Sequence, residues 1–167
     1  MIRFEVIDAT FNLRRKIAIK NWINEIILRK NRKTGSVNYL FASDPYVLNV
    51  NRQFLGHDYY TDIITFDTSD YESPGAVNCQ SDRLSADIVI SLDTVLANSE
   101  SYGSTFSSEL YRVMAHGILH LLGYDDHSES DIVEMRKAED EALALLQHFG
   151  LGDDQCYIPS SPLTTNR

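Results

Sequence analysis

The chain predicts an α+β fold with α/β-like character: a single domain whose small mixed four-stranded sheet is covered by about five helices, in the order βαβαββααα. Three observations lead there. Short segments alternate apolar and polar residues with the period of a strand, and longer ones repeat apolar residues with the period of a helix. No repeat or internal linker interrupts the 167 residues, a length that suits one domain. The domain is expected over residues 1–149, followed by a loose tail over 150–167 that ends in IPSSPLTTNR.

IRFEVI (2–7) alternates and predicts the first strand. From Asn12 to about Lys30, Leu13, Ile17, Trp22, Ile26 and Ile27 recur at helical spacing, ending in the glycine-punctuated KNRKTG. SVNYLFAS (36–43) predicts a second strand. In DPYVLNVNRQFLG, Asp44 is the expected N-cap, Pro45 the first helical residue and Gly56 the stop. TDIITFD (61–67) and LSADIVIS (84–91) read as strands, separated by the polar loop 68–83. A helix is expected from Leu92 to Tyr102, and another from Ser104 or Thr105 to Leu122, ended by Gly123. Ser128, with Asp131 three residues on, caps a last helix that runs to about Phe149.

Composition narrows the class. With 43% hydrophobic and 23% charged residues, the chain is globular rather than disordered or fibrous. No stretch of about 18 uncharged apolar residues is present, so no membrane span is expected. Arg3, Glu5 and Asp8 lie where a secretion signal needs an apolar core, so a cytoplasmic protein is expected. Cys79 and Cys156 match no paired spacing and read as reduced thiols. A net charge of −9 disfavours a phosphate-rich partner. Yet Arg14, Arg15, Lys16, Lys20, Arg29, Lys30, Arg32 and Lys33 crowd one segment against a single acid, Glu25. That segment reads either as a solvated helix with a basic C-terminal turn or as a surface for a nucleic-acid backbone.

The chemistry concentrates in HGILHLLGYDDHSESD (116–131). His116 and His120 are four apart in a helix, so both imidazoles lie on one face, roughly 6 Å apart along the axis. They flank an apolar stripe of Leu110, Met114, Gly117 and Leu121. Gly123 lets the chain turn back and deliver a third ligand, either Asp126 or His127. Three protein ligands and a water make a catalytic zinc site, whereas a structural one closes all four positions. Gly117 stands where an H-E-x-x-H metalloprotease carries its glutamate base, which argues against a peptidase and leaves the general base unassigned.

HGILHLLGYD closely resembles the signature of the YbeY family, metal-dependent single-strand endoribonucleases associated with ribosomal RNA maturation in bacteria: H-G-x-L-H-L-x-G-Y-D-H. YTDIITF (60–66) is similar to that family's P-T-D-V-L-S-F strand, and ADIVIS (86–91) to its G-D-I-x-I-S strand. The resemblance implies a cytoplasmic hydrolase that uses one divalent ion, usually zinc. It further implies single-stranded ribosomal RNA as substrate, the ribosomal small subunit as a possible partner, and no membrane. Read without a gap to Glu134 and Met135, the signature's third histidine falls on Asp126, with His127 the alternative. The family's arginine six residues before the threonine falls on Leu55; Arg52, about one turn back, is the expected partial substitute in catalysis. The rival expectation is a non-catalytic ribosome-assembly or RNA-binding factor with a structural metal.

Overall fold

A computed structural model of the chain describes residues 1–69, 82–152 and 156–157. The alternating segments form β1 (Ile2–Ile7), β2 (Lys33–Ala42), β3 (Ile63–Asp67) and β4 (Arg83–Ser91). They pair in the order β1-β2-β4-β3, parallel except for β3, which runs antiparallel to β4. The helical segments form α1 (Lys16–Arg29), α2 (Asp44–Leu55), α3 (Leu92–Tyr102), α4 (Phe106–Leu121) and α5 (Glu129–Ala144), with a 3-10 turn at Leu146–Phe149. The α+β class, the mixed sheet and the element order are as expected.

Strand alternation gives the sheet two unequal faces. Val37, Tyr39 and Phe41 of β2 join Ala86, Ile88 and Ile90 of β4 in one large core with α1 and α4. On the other face Ala42, Ile64 and Val89 meet Val47 and Val50 of α2 in a smaller cluster. Two hydrogen bonds tie helices into this frame. Tyr39 donates its hydroxyl to the Met114 carbonyl of α4 at 3.1 Å, and Trp22 of α1 donates its indole N–H to the Ala142 carbonyl of α5 at 2.8 Å. Both rings are fully buried, so each polar atom needs such a partner.

Several boundaries move, each for a visible reason. The first helix begins at Lys16, not Asn12, because Leu13 pairs in a bridge with Tyr157 and the Arg14 N–H donates to the Cys156 carbonyl. That bridge precedes a left-handed turn at Arg15, which reorients the helix. Its core face is Ile19, Trp22, Ile23, Ile26 and Ile27, while Ile17 is 78% exposed. The same bridge anchors part of the segment expected to be loose. Leu151 and Cys156 are buried, and the Tyr157 ring lies 5.0 Å from Phe106. Residues 153–155 and 158–167 lie outside the described residues, as do 70–81 of the polar loop with Cys79.

β2 starts at Lys33, three residues before Ser36, because the Lys33 N–H donates to the Asp82 carbonyl and parallel pairing begins there. α2 is capped by Ser43 rather than Asp44. The Asp44 carboxylate instead accepts from the hydroxyls of Ser91 and Thr94, joining the starts of α2 and α3. The cap on the last helix is as expected: Ser128 and Asp131 bond each other's backbone N–H groups.

Gly117 sets how closely α4 lies on the sheet. A Cβ there would meet the Ile63 terminal methyl at 2.6 Å, Thr65 at 3.4 Å and Ile88 at 3.5 Å. Gly117→Ala needs one terminal methyl to rotate and gains about 1 kcal/mol of helix propensity, so its stability is expected within about 1 kcal/mol of the parent. Gly117→Val drives branches into Thr65 and Ile88 and is expected to cost about 1–3 kcal/mol. Thermal unfolding checks this at about 2–4 °C per kcal/mol, and equal melting temperatures for the two variants contradict the packing account.

Candidate functional site

α4 is amphipathic, so burying its apolar stripe on the sheet fixes its rotation and places His116 and His120 at the edge of the contact. Their rings stand edge to face with centroids 4.5 Å apart. After Leu122 the chain reverses through Gly123, whose φ of 103° favours glycine, and the Tyr124 N–H donates back to the Leu119 carbonyl at 3.0 Å. The returning segment brings Asp126 Oδ2 to 3.4 Å from His120 Nε2 and 3.9 Å from His116 Nε2. His127 is 84% exposed, with its Nε2 at 3.1 Å from Asp125 Oδ1.

His116, His120 and Asp126 each offer a ligand atom, all within 4.8 Å of one another. An ion bound to imidazole nitrogen and carboxylate oxygen at about 2.0–2.2 Å in a tetrahedron holds its ligand atoms roughly 3.3–3.6 Å apart. The observed spacings lie close to that span, so the donor set fits a divalent ion. Asp125, Asp126 and His127 form a second such trio, fully on the surface.

Three carboxylates around His116 were not singled out in the sequence. Glu139 of α5 is buried and places Oε2 3.5 Å from His116 Nδ1. Arg112 holds Glu139 at 3.4 Å and Asp140 at 3.2 Å. The signal for Glu139 was legible: it sits on the buried stripe of α5 with Met135, Ala138 and Ala142, where an acid needs a partner. Asp62, just before β3, had no local signature, whereas Glu109 lies two turns before His116 on α4 itself, where helical spacing places it near the histidine flank. With Arg112, His116, Glu139 and Tyr102 they line a cavity of about 540 Å³.

Burial lowers the His116 pKa, but the hydrogen bond and charge of Glu139, with Asp62 and Asp126, outweigh it and leave the imidazole raised. Burial pushes Asp62 and Glu109 up, opposed by His116 for the first and by Arg112 for the second. Carboxyls that resist ionisation beside an imidazole that holds its proton describe a site short of positive charge.

The eight basic residues lie toward the two ends of α1. Arg14 and Arg15 lie by the chain's C-terminal segment, the Arg15 guanidinium donating to the Gly150 carbonyl. Lys20 sits 5.9 Å over the Phe4 ring, and Lys16 opens α1. At the other end Arg29 pairs with Glu25 at 2.7 Å, Arg32 donates to the Arg83 carbonyl, and Lys33 pairs with Asp82 at 2.8 Å. Lys30 donates to the Tyr124 hydroxyl at 2.7 Å, in the turn that carries Asp126. Arg52 pairs with Asp58 and is not among the cavity-lining residues; Leu55 is exposed.

The Asp62 shift makes a stability prediction. Because its folded pKa is raised, its contribution is full below the ordinary aspartate value of about 3.9 and is lost as pH rises through the raised value. Asp62→Asn is therefore expected to melt with the parent in acid and above it at neutral pH, both measured without metal. A parent that is the more stable at neutral pH contradicts this.

The family model described as Endoribonuclease YbeY matches residues 5–147. A relative from Porphyromonas gingivalis carrying that name is 46% identical over 135 residues, 81% of this chain and 82% of its own length. One from Cytophaga hutchinsonii, with the same name, is 42% identical over 138 residues, covering 83% of this chain and 90% of its own. A Thermotoga maritima protein solved in solution shares the fold, with a TM-score of 0.55 at 24% identity over 92% of this chain and 97% of that one.

Proposed function

The chain belongs to the endoribonuclease YbeY family, and from that premise we propose that it is a metal-dependent, single-strand-specific endoribonuclease of ribosomal RNA processing. The observation that carries the reading is the convergence of His116, His120 and Asp126 beside an open, charged cavity. In this reading those residues hold one divalent ion, with zinc as the ion whose catalytic sites use imidazole and carboxylate, and His127 stays outside the ligand set. Such an ion supplies hydroxide at neutral pH by lowering the pKa of its bound water. Glu139 accepts the Nδ1–H of His116 and so keeps the Nε2 lone pair directed outward, while Arg112 holds Glu139 in place. Of the basic residues, Lys30 is the one tied to the Asp126 turn, and it holds RNA backbone there. A cytoplasmic setting at the ribosomal small subunit completes the proposal.

Arg52 favours a second reading. Its guanidinium is engaged by Asp58, and Leu55 and Gly117 provide neither cation nor base. A ribosome-assembly factor with a structural metal would have the same ligands and no turnover.

Purified protein is expected to cleave single-stranded RNA, and to lose that activity on chelation and in the His116→Ala, His120→Ala double variant. Undiminished cleavage by the double variant removes the nuclease reading. If chelation lowers the melting temperature while RNA is never turned over, the assembly-factor reading takes its place. Metal content separates the ligands: Asp126→Ala is expected to lose the ion and His127→Ala to retain it, and the reverse result reassigns the third ligand. Glu139→Ala is expected to weaken metal affinity about 10–100-fold in chelator competition.

A further inference from the structure

The loop between α2 and β3 is held rigidly yet exposes its aromatic rings. Asn51, itself buried, donates its side-chain amide to the Tyr59 carbonyl at 2.8 Å, and its own carbonyl accepts from the His57 N–H. At the far end the Ser91 N–H donates to the Asp62 carbonyl at 2.8 Å. Between these clamps Tyr59 is 56% and Tyr60 62% exposed. The Tyr59 ring is stacked on His57 with centroids 5.1 Å apart and 20° between planes. Adjacent exposed rings on a fixed backbone suit a planar partner, because little freedom is lost when they are covered.

Position and charge identify that partner. Tyr60 is two residues before Asp62, which lines the cavity with His116, so its backbone lies within about 7 Å of that lining residue. Residues 52–62 contain one arginine and two aspartates, and the arginine is paired with Asp58. Attraction for phosphate is weak there, so the contact this loop offers a single strand is stacking, which every base can use because each has a planar face. We infer that Tyr59 and Tyr60 form a stacking platform for the unpaired bases of single-stranded RNA entering the cavity, an inference that rests on the nuclease reading.

The test uses the full metal-loaded chain and fluorescence anisotropy of a hydrolysis-resistant phosphorothioate RNA strand of about 12 nucleotides. The Tyr59→Leu, Tyr60→Leu pair, apolar but not planar, is expected to bind at least about tenfold more weakly. The Tyr59→Phe, Tyr60→Phe pair keeps the rings and is expected to stay within about twofold of the parent. A strand of the same length without bases is expected to bind the parent as weakly as the normal strand binds the leucine pair. The platform is overturned if the leucine pair binds like the parent, if the base-free strand binds equally well, or if the parent binds no RNA and the rings serve a protein partner. Cleavage of unmodified RNA is scored separately. Ring-dependent binding without cleavage leaves the platform standing and removes the nuclease, whereas cleavage with ring-independent binding does the reverse.

Discussion

The close seat of α4 on the sheet is the constraint from which the site follows. Gly117 presents no side chain to Ile63, Thr65 and Ile88, so the helix backbone settles against β3 and β4. Its neighbour His116 is thereby held at the rim of that contact, half-buried, with His120 one turn on. An imidazole in this position is dry enough to interact strongly with neighbouring charge and open enough to meet a ligand. The Tyr39 hydroxyl, bonded to the Met114 carbonyl, pins the same stretch of helix to β2. Trp22 performs the equivalent service for α5. Its bond to Ala142 lies one turn beyond Glu139 and fixes the carboxylate that faces His116. The hydrophobic core and the candidate metal centre are thus joined by two buried hydrogen bonds.

Acidic groups dominate around His116. Asp62, Glu139 and Asp126 act on His116, Glu109 joins Asp62 and Glu139 in the cavity with Arg112 and Arg136 as counter-charges, and burial raises Asp62 and Glu109. Desolvated carboxylates this close disfavour each other's ionisation unless a cation is present. A divalent ion held by His116, His120 and Asp126 would answer that imbalance with two positive charges.

An acidic chain that handles RNA must place its attraction locally. Its net charge of −9 repels phosphate at long range, and its basic segment is divided between the two ends of a 14-residue helix, roughly 20 Å apart. One end is occupied by contacts with the C-terminal segment, and the other reaches the turn that carries Asp126 through Lys30 and Tyr124. Uncharged recognition through exposed rings beside the cavity suits such a surface better than a broad cationic groove.

Much of this was determined by local pattern. Strand alternation, the helix over Leu92–Tyr102, the Ser128 and Asp131 capping box and the four-residue spacing of His116 and His120 all depend on neighbours within a turn or two, which a linear reading sees. Gly123 announced the reversal for the same reason. What tertiary structure decided involves partners far apart in the chain. Tyr157 shortened the first helix by pairing with Leu13, Asp82 lengthened β2 by accepting from Lys33, and Ser91 and Thr94 drew Asp44 away from its cap. Glu139 and Asp62 stand 23 and 54 residues from His116 in number, and only the packing of α5 and β3 against α4 brings them to one imidazole. Periodicity records which face of an element is buried; it carries no record of which distant residue that face will meet, because that is settled by the shape of the assembled core.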